Sequence, residues 1–107
     1  MAWFDIVFNV ATINTMKITY DTAKRAKTIA ERDIDFMEAK EVFAGRHFTF
    51  LDDRVDYGEP RQITVGYLGL RMVMLGWVQR GNDRHVFTMR KANEREIKKY
   101  GKRLEQI

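Results

Sequence analysis

Apolar residues recur along this chain in two rhythms, and the change from one to the other falls at Gly45. Before Gly45 the spacing is mostly helical. Lys17–Tyr20 reads as a short strand, and Asp21 then offers an N-cap for a helix whose inner face would be Ala23, Ala26, Ile29 and Ala30. Asp35, with Glu38 three residues on, forms a capping-box pair ahead of Phe36, Ala39, Val42 and Phe43, so a second helix is expected there, with Gly45 as its stop.

After Gly45 the period drops to two, which predicts strands near His47–Leu51, Gln62–Leu68, Arg71–Val78 and Arg84–Met89. Tight links at Gly69 and at Gly81-Asn82 make these an antiparallel meander. Arg71–Val78 is apolar on both faces and suits a central strand. Asn93, with Glu96 as its box partner, opens a last helix that turns Ile97, Tyr100 and Leu104 inward between basic residues. The expected fold is α+β: an antiparallel sheet of four to five strands, two N-terminal helices and one C-terminal helix, with the helices packed on one sheet face.

Size and composition narrow this to one domain, because 107 residues can build one modest core and hardly two. Residues 17–107 carry that domain. Residues 1–16 form an extension of uncertain status, rather apolar but without a basic leader region and too short to span a bilayer. It reads either as an extra element covering the domain edge or as an upstream start with Met16 as the older beginning; the second is favoured because the regular pattern starts at Lys17. The absence of cysteine removes disulfides and thiolate metal sites and fits a reducing compartment, so the cytoplasm is expected and a membrane is not.

Charge is unevenly spread. The net charge is +4, yet the stretch from Arg80 onward holds nine basic residues against four acids and is +5 by itself. A basic C-terminal third is a plausible footprint for a polyanion, although a solvated lysine-rich helix face produces the same pattern.

Candidate chemistry concentrates in two places. In the last strand a simple alternation would put Arg84, Val86, Thr88 and Arg90 on one face and His85, Phe87 and Met89 on the other. The apolar set must face the helices, so two guanidinium groups and a hydroxyl are expected on the open face, the arginines roughly 20 Å apart. The second cluster is Asp52–Arg61, where Tyr57-Gly58-Glu59-Pro60 signals a turn and Arg61 opens a strand at the sheet's rim. Glu59 and Arg61 either pair to fix that turn or supply a base and a cation beside a phosphate. His47 and His85 are lone histidines, read as structural, and no metal-ligand spacing, phosphate-binding glycine loop or nucleophile triad is found. Neither a metal nor a cofactor is expected.

Four segments, Ile18–Lys24, Asp35–Phe43, Asp53–Arg61 and Arg84–Ala92, in this order, resemble the successive signatures of BrnT toxins over about Lys17 to Gly101. The resemblance implies a RelE-like fold and RNA cleavage that halts translation. It also implies neutralisation by a BrnA-like ribbon-helix-helix antitoxin, in a heterotetramer that represses its own promoter on DNA. One departure stands out: where the family usually carries Lys-His-Gly between its first two helices, this chain has Glu31-Arg32-Asp33. That departure keeps an alternative in play, a catalytically silent partner within a DNA-binding repressor complex.

On the ribonuclease reading, cleavage needs a base for the 2′-hydroxyl, an acid for the leaving oxygen and charge stabilisation at phosphorus. Guanidinium holds its proton too tightly to be an acid at neutral pH. Arg61, Arg84 and Arg90 are therefore assigned to phosphate contact and charge stabilisation, and Glu59 is the candidate base. Lys24, Arg54, Arg80 and Lys91 are assigned to the RNA backbone, Thr88 to substrate contact, and Tyr57 to stacking on an unpaired base.

Overall fold

The computed structural model describes residues 17–54, 56 and 58–107. The extension at 1–16, and with it the question of whether it covers the domain edge, lies outside these residues. Among them the chain runs β1 (Lys17–Thr19), α1 (Thr22–Arg32), a one-turn 3₁₀ segment (Phe36–Glu38), α2 (Ala39–Ala44), β2 (His47–Asp52), β3 (Arg61–Leu68), β4 (Arg71–Arg80), β5 (Asp83–Lys91) and α3 (Glu94–Glu105).

The helix starts follow from local chemistry. Asp21 accepts from the Lys24 amide, and reciprocal capping boxes form at Asp35/Glu38 and Asn93/Glu96, so α1, the 3₁₀ segment and α3 each begin where a side chain supplies an acceptor the backbone lacks. The hairpins follow likewise: Gly69 and Gly81 hold φ of 64° and 61°, the left-handed region that a tight turn between twisted strands requires.

The sheet order is β1-β5-β4-β3-β2. β2 to β5 form the expected antiparallel meander, and β4, apolar on both faces, is central. β1, however, joins β5 in parallel, so the sheet is mixed. The helices also divide between its faces instead of sharing one. Val73, Leu75 and Trp77 of β4 pack with Ile34, Phe36, Val42 and Phe43 beneath α2, whereas Met72 and Met74 pack with Phe48, Val65 and Leu104 beneath α3. A strand with large apolar residues on both sides presents two faces to be covered, and one layer of helices covers only one.

Two helical faces also differ from their expected orientation. No residue of α1 is buried, and Ile29 is 40% exposed; the helix is held by polar anchors, the Arg25–Asp35 ion pair at 2.8 Å and a hydrogen bond from Arg32 to the Met89 carbonyl. Alanines contribute too little apolar area to dictate which side turns inward. In α3, Leu104 is fully buried and Tyr100 packs between Phe48 and Phe50, but Ile97 is 47% exposed.

On the α2 face, Trp77 donates its indole N–H to Thr64 Oγ1 at 2.8 Å, and Thr64 in turn bonds Thr49. The buried indole N–H of the central strand thus has its acceptor within the sheet.

A bulge in the last strand and the cleft beside it

The regular alternation of β5 breaks once. Trp77 pairs with Val86 and its neighbour Gly76 pairs with Thr88, so Phe87 is an extra residue in a β-bulge. The extra residue puts Phe87 and Thr88 on the same face. Both crowd the point where a Cβ on Gly76 would stand, with side-chain atoms 2.7–2.9 Å away, which is why position 76 is glycine.

The bulge overturns the expected grouping of the arginines. Arg84 and Val86 share the α2 face with Trp77, and beyond the bulge it is Met89 that continues on that face, while Thr88 and Arg90 turn to the α3 face. Arg84 therefore lies against the helices. Its guanidinium sits between the rings of Phe43 and Trp77, 4.3 and 4.6 Å from their centroids, where burial lowers its pKa. Arg84 and Arg90 do not act together on one surface.

The α3 face carries the remaining chemistry. Arg61 stands over the ring of Phe87 at 4.5 Å. Beside it a cleft of about 590 Å³ opens between the sheet and the start of α3, floored by Ile63, Met74, Gly76 and Thr88 and walled by Arg32, Arg54, Arg90, Lys99 and Tyr100. A smaller hollow of about 370 Å³ next to it is lined by Glu59, Pro60 and Arg61, and the two share Leu51, Asp52 and Asp53. Together they form a trough lined by cations and carboxylates in alternation with apolar side chains.

Carboxylates pair with several of these cations. Arg54 makes a two-point contact with Asp52 at 2.8 and 2.9 Å, and Asp52 is nearly buried. Arg90 makes another with Glu96 at 2.7 Å each, which holds the Glu96 carboxyl down at about 2, far below its ordinary 4.5. Glu59 pairs with Arg80 at 3.3 Å, so the turn is fixed by Arg80, a residue of β4.

Other assigned residues fall elsewhere. Lys24 is exposed in the first turn of α1, and Lys91 ends β5 beside a separate hollow lined by Leu68, Leu70 and Arg71. Tyr57 lies outside the described residues. Among the described residues no group of His, Cys, Asp and Glu has the arrangement to hold a metal ion, and no helix is long and apolar enough to cross a membrane.

His85, read as structural from the sequence, lies on the same face as the trough. It pairs with Val78 of β4 and Thr19 of β1, and its Nδ1 is 2.8 Å from Thr19 Oγ1. The β3–β4 register brings Arg61 to the other side of Val78, so Arg61 and His85 flank one residue, roughly 10 Å apart at their Cα atoms for two strand spacings. Burial, together with the charges of Arg80 and Lys24, holds the imidazole below its ordinary value against the opposing pull of Glu59 and Asp21. Phe87 and Lys99 also went unassigned in the sequence, since their neighbours are set by the bulge and by the placement of α3.

Residues 20–96 match a family model described as the ribonuclease toxin BrnT of type II toxin-antitoxin systems. The chain is also similar to a solved structure, the 1.1 Å crystal structure of the Brucella abortus ribonuclease toxin BrnT. The identity is 29%, over 75% of this chain and 100% of that one, with a TM-score of 0.60. No curated protein matches the chain.

Proposed function

The chain belongs to the BrnT family of ribonuclease toxins of type II toxin-antitoxin systems, and from that premise we propose that it is an endoribonuclease that cuts RNA at the trough on the α3 face without a metal ion. The observation that carries the proposal is the position of Arg61: fixed on the Phe87 ring, beside Glu59, in the smaller of two adjoining hollows whose linings bring cations and carboxylates together.

Arg61 supplies charge stabilisation at the scissile phosphate, because a guanidinium spreads positive charge over several N–H donors matched to phosphate oxygens. Glu59 accepts the 2′-hydroxyl proton, with Arg80 holding its carboxylate in place. Arg54, Lys99 and Thr88 line the path of the RNA backbone, and Arg90 shapes the wall through its grip on Glu96. Arg84 has no part in the reaction. Cleavage of RNA would halt translation, and an antitoxin of the BrnA kind, with a ribbon-helix-helix DNA-binding part, would cover the trough and carry the repressor activity.

A second reading, a silent partner within the repressor complex, is favoured by one observation: Arg54, Arg80 and Arg90 each already face a carboxylate in the free chain. Turnover separates the two. The purified chain should cut a mixed-sequence RNA in the presence of a chelator, with Arg61→Ala losing on the order of 10² in rate, as when one stabilising donor is removed. Intact RNA at all enzyme concentrations would establish the silent partner, and cleavage that chelator abolishes would make the reaction metal-dependent.

A further inference from the structure

We propose that His85 is a catalytic residue of this site, the general acid that protonates the departing 5′-oxygen. The proposal rests on the ribonuclease reading above and supplies the one role it leaves open.

Three observations lead to it. His85 stands on the trough's face, separated from Arg61 only by the β4 residue Val78, whereas His47 pairs with Gly66, five residues up β3 from Arg61 and roughly 17 Å away. The imidazole is oriented: Thr19, brought alongside by the parallel β1, contacts Nδ1, which makes Nε2 the nitrogen that would meet a substrate. The charged groups that bear on it are Asp21 and Lys24 from the start of α1, Arg80 from β4 and Glu59 from the rim, while β1 brings the uncharged Thr19. A phosphate-bearing substrate would add negative charge to this group and favour the protonated ring.

The chemistry selects the role. An arginine does not release its proton near neutrality, and an ionised Glu59 can only accept one. An imidazole has its proton affinity near the working pH, which is the condition for efficient transfer. In the imidazolium both ring nitrogens carry protons, so Nδ1 donates to Thr19 Oγ1 and Nε2 holds the transferable proton. The 2′-oxygen forms a bond to phosphorus as Glu59 takes its proton. The bond from phosphorus to the 5′-oxygen breaks, and that oxygen receives the Nε2 proton. The products are a 2′,3′-cyclic phosphate and a free 5′-hydroxyl, with no oxidant or co-reactant.

The test uses the leaving group. Once the bond cut by the wild-type chain has been mapped in an oligonucleotide, a second oligonucleotide is made with sulfur in place of the bridging 5′-oxygen at that bond. A thiolate departs without needing a proton. His85→Gln should slow the ordinary RNA by roughly 10²–10³, the usual contribution of a general acid, yet cut the sulfur substrate as fast as the wild type. In the wild type the rate on ordinary RNA should fall as pH rises through the His85 pKa, and the variant should lack that limb. Thr19→Val, which keeps the imidazole but frees Nδ1, should slow the ordinary RNA and spare the sulfur one.

Equal losses on both substrates, or full activity of His85→Gln where Arg61→Ala is impaired, would overturn the assignment while leaving the ribonuclease reading in place. Failure of the wild type on both substrates would remove both.

Discussion

Arg90 and Glu96 face each other across the corner where β5 hands the chain to α3, joined at two points of 2.7 Å each. Glu96 also closes the capping box by accepting from the Asn93 amide, so one carboxylate fixes both the start of the helix and its angle to the sheet. Replacing Arg90 by alanine should destabilise the fold by about 1–2 kcal/mol, the scale of a partly exposed charge-assisted pair. Urea unfolding at neutral pH checks this.

The same pair sets a pH dependence. Because the folded Glu96 pKa is depressed to about 2 from 4.5, its contribution is complete above about 4.5 and is lost as pH falls from there toward 2. Unfolding midpoints measured across this range should decline in the wild type more steeply than in Glu96→Gln. Parallel curves would show that the pair is not coupled to stability.

Arg84 separates a structural arginine from a catalytic one. Wedged between Phe43 and Trp77, it should cost about 1–2 kcal/mol when replaced by alanine, through the lost cation–π contacts. RNA cleavage well below the melting temperature should be unchanged. A large activity loss without a stability loss would place the reaction on the α2 face.

Gly76→Ala tests the bulge. A Cβ there would overlap Thr88 and the Phe87 ring, and the ring cannot retreat without moving Arg61. Destabilisation of about 1–3 kcal/mol is expected from the overpacking, together with reduced cleavage in the fraction that remains folded. A variant as stable and active as the wild type would show that the strand can absorb the change.

Asp33, the last residue of Glu31-Arg32-Asp33, caps α1 with φ of 55°, a left-handed conformation. It also places a negative charge at the negative end of the helix. Asp33→Gly should therefore stabilise the protein by about 0.5–1 kcal/mol, raising the thermal midpoint. Glycine is the residue this backbone conformation favours.

What the sequence made legible was what residues close in the chain decide. The caps at Asp21, Asp35 and Asn93 and the turns at Gly69 and Gly81 each depend on a few neighbours, and the elements they bound appear where expected. The bulge was not visible because no residue of β5 marks it; its only trace is a glycine on the adjacent strand. Without it, strict alternation puts Arg84 with Arg90 on one open face. His85 was set aside for a similar reason, since the hydroxyl that orients it lies 66 residues earlier.

That separation reaches beyond catalysis, into how the molecule is made. The strand that seats Thr19 is among the first residues of the domain, and its partner β5 is nearly the last. A nascent chain can form α1 and the early hairpins as they emerge, but the β1–β5 contact must wait until almost the whole domain has left the ribosome, and closing so long a loop carries a large entropic cost. That face of the sheet is therefore completed only once β5 has been made, after the helices and hairpins that precede it.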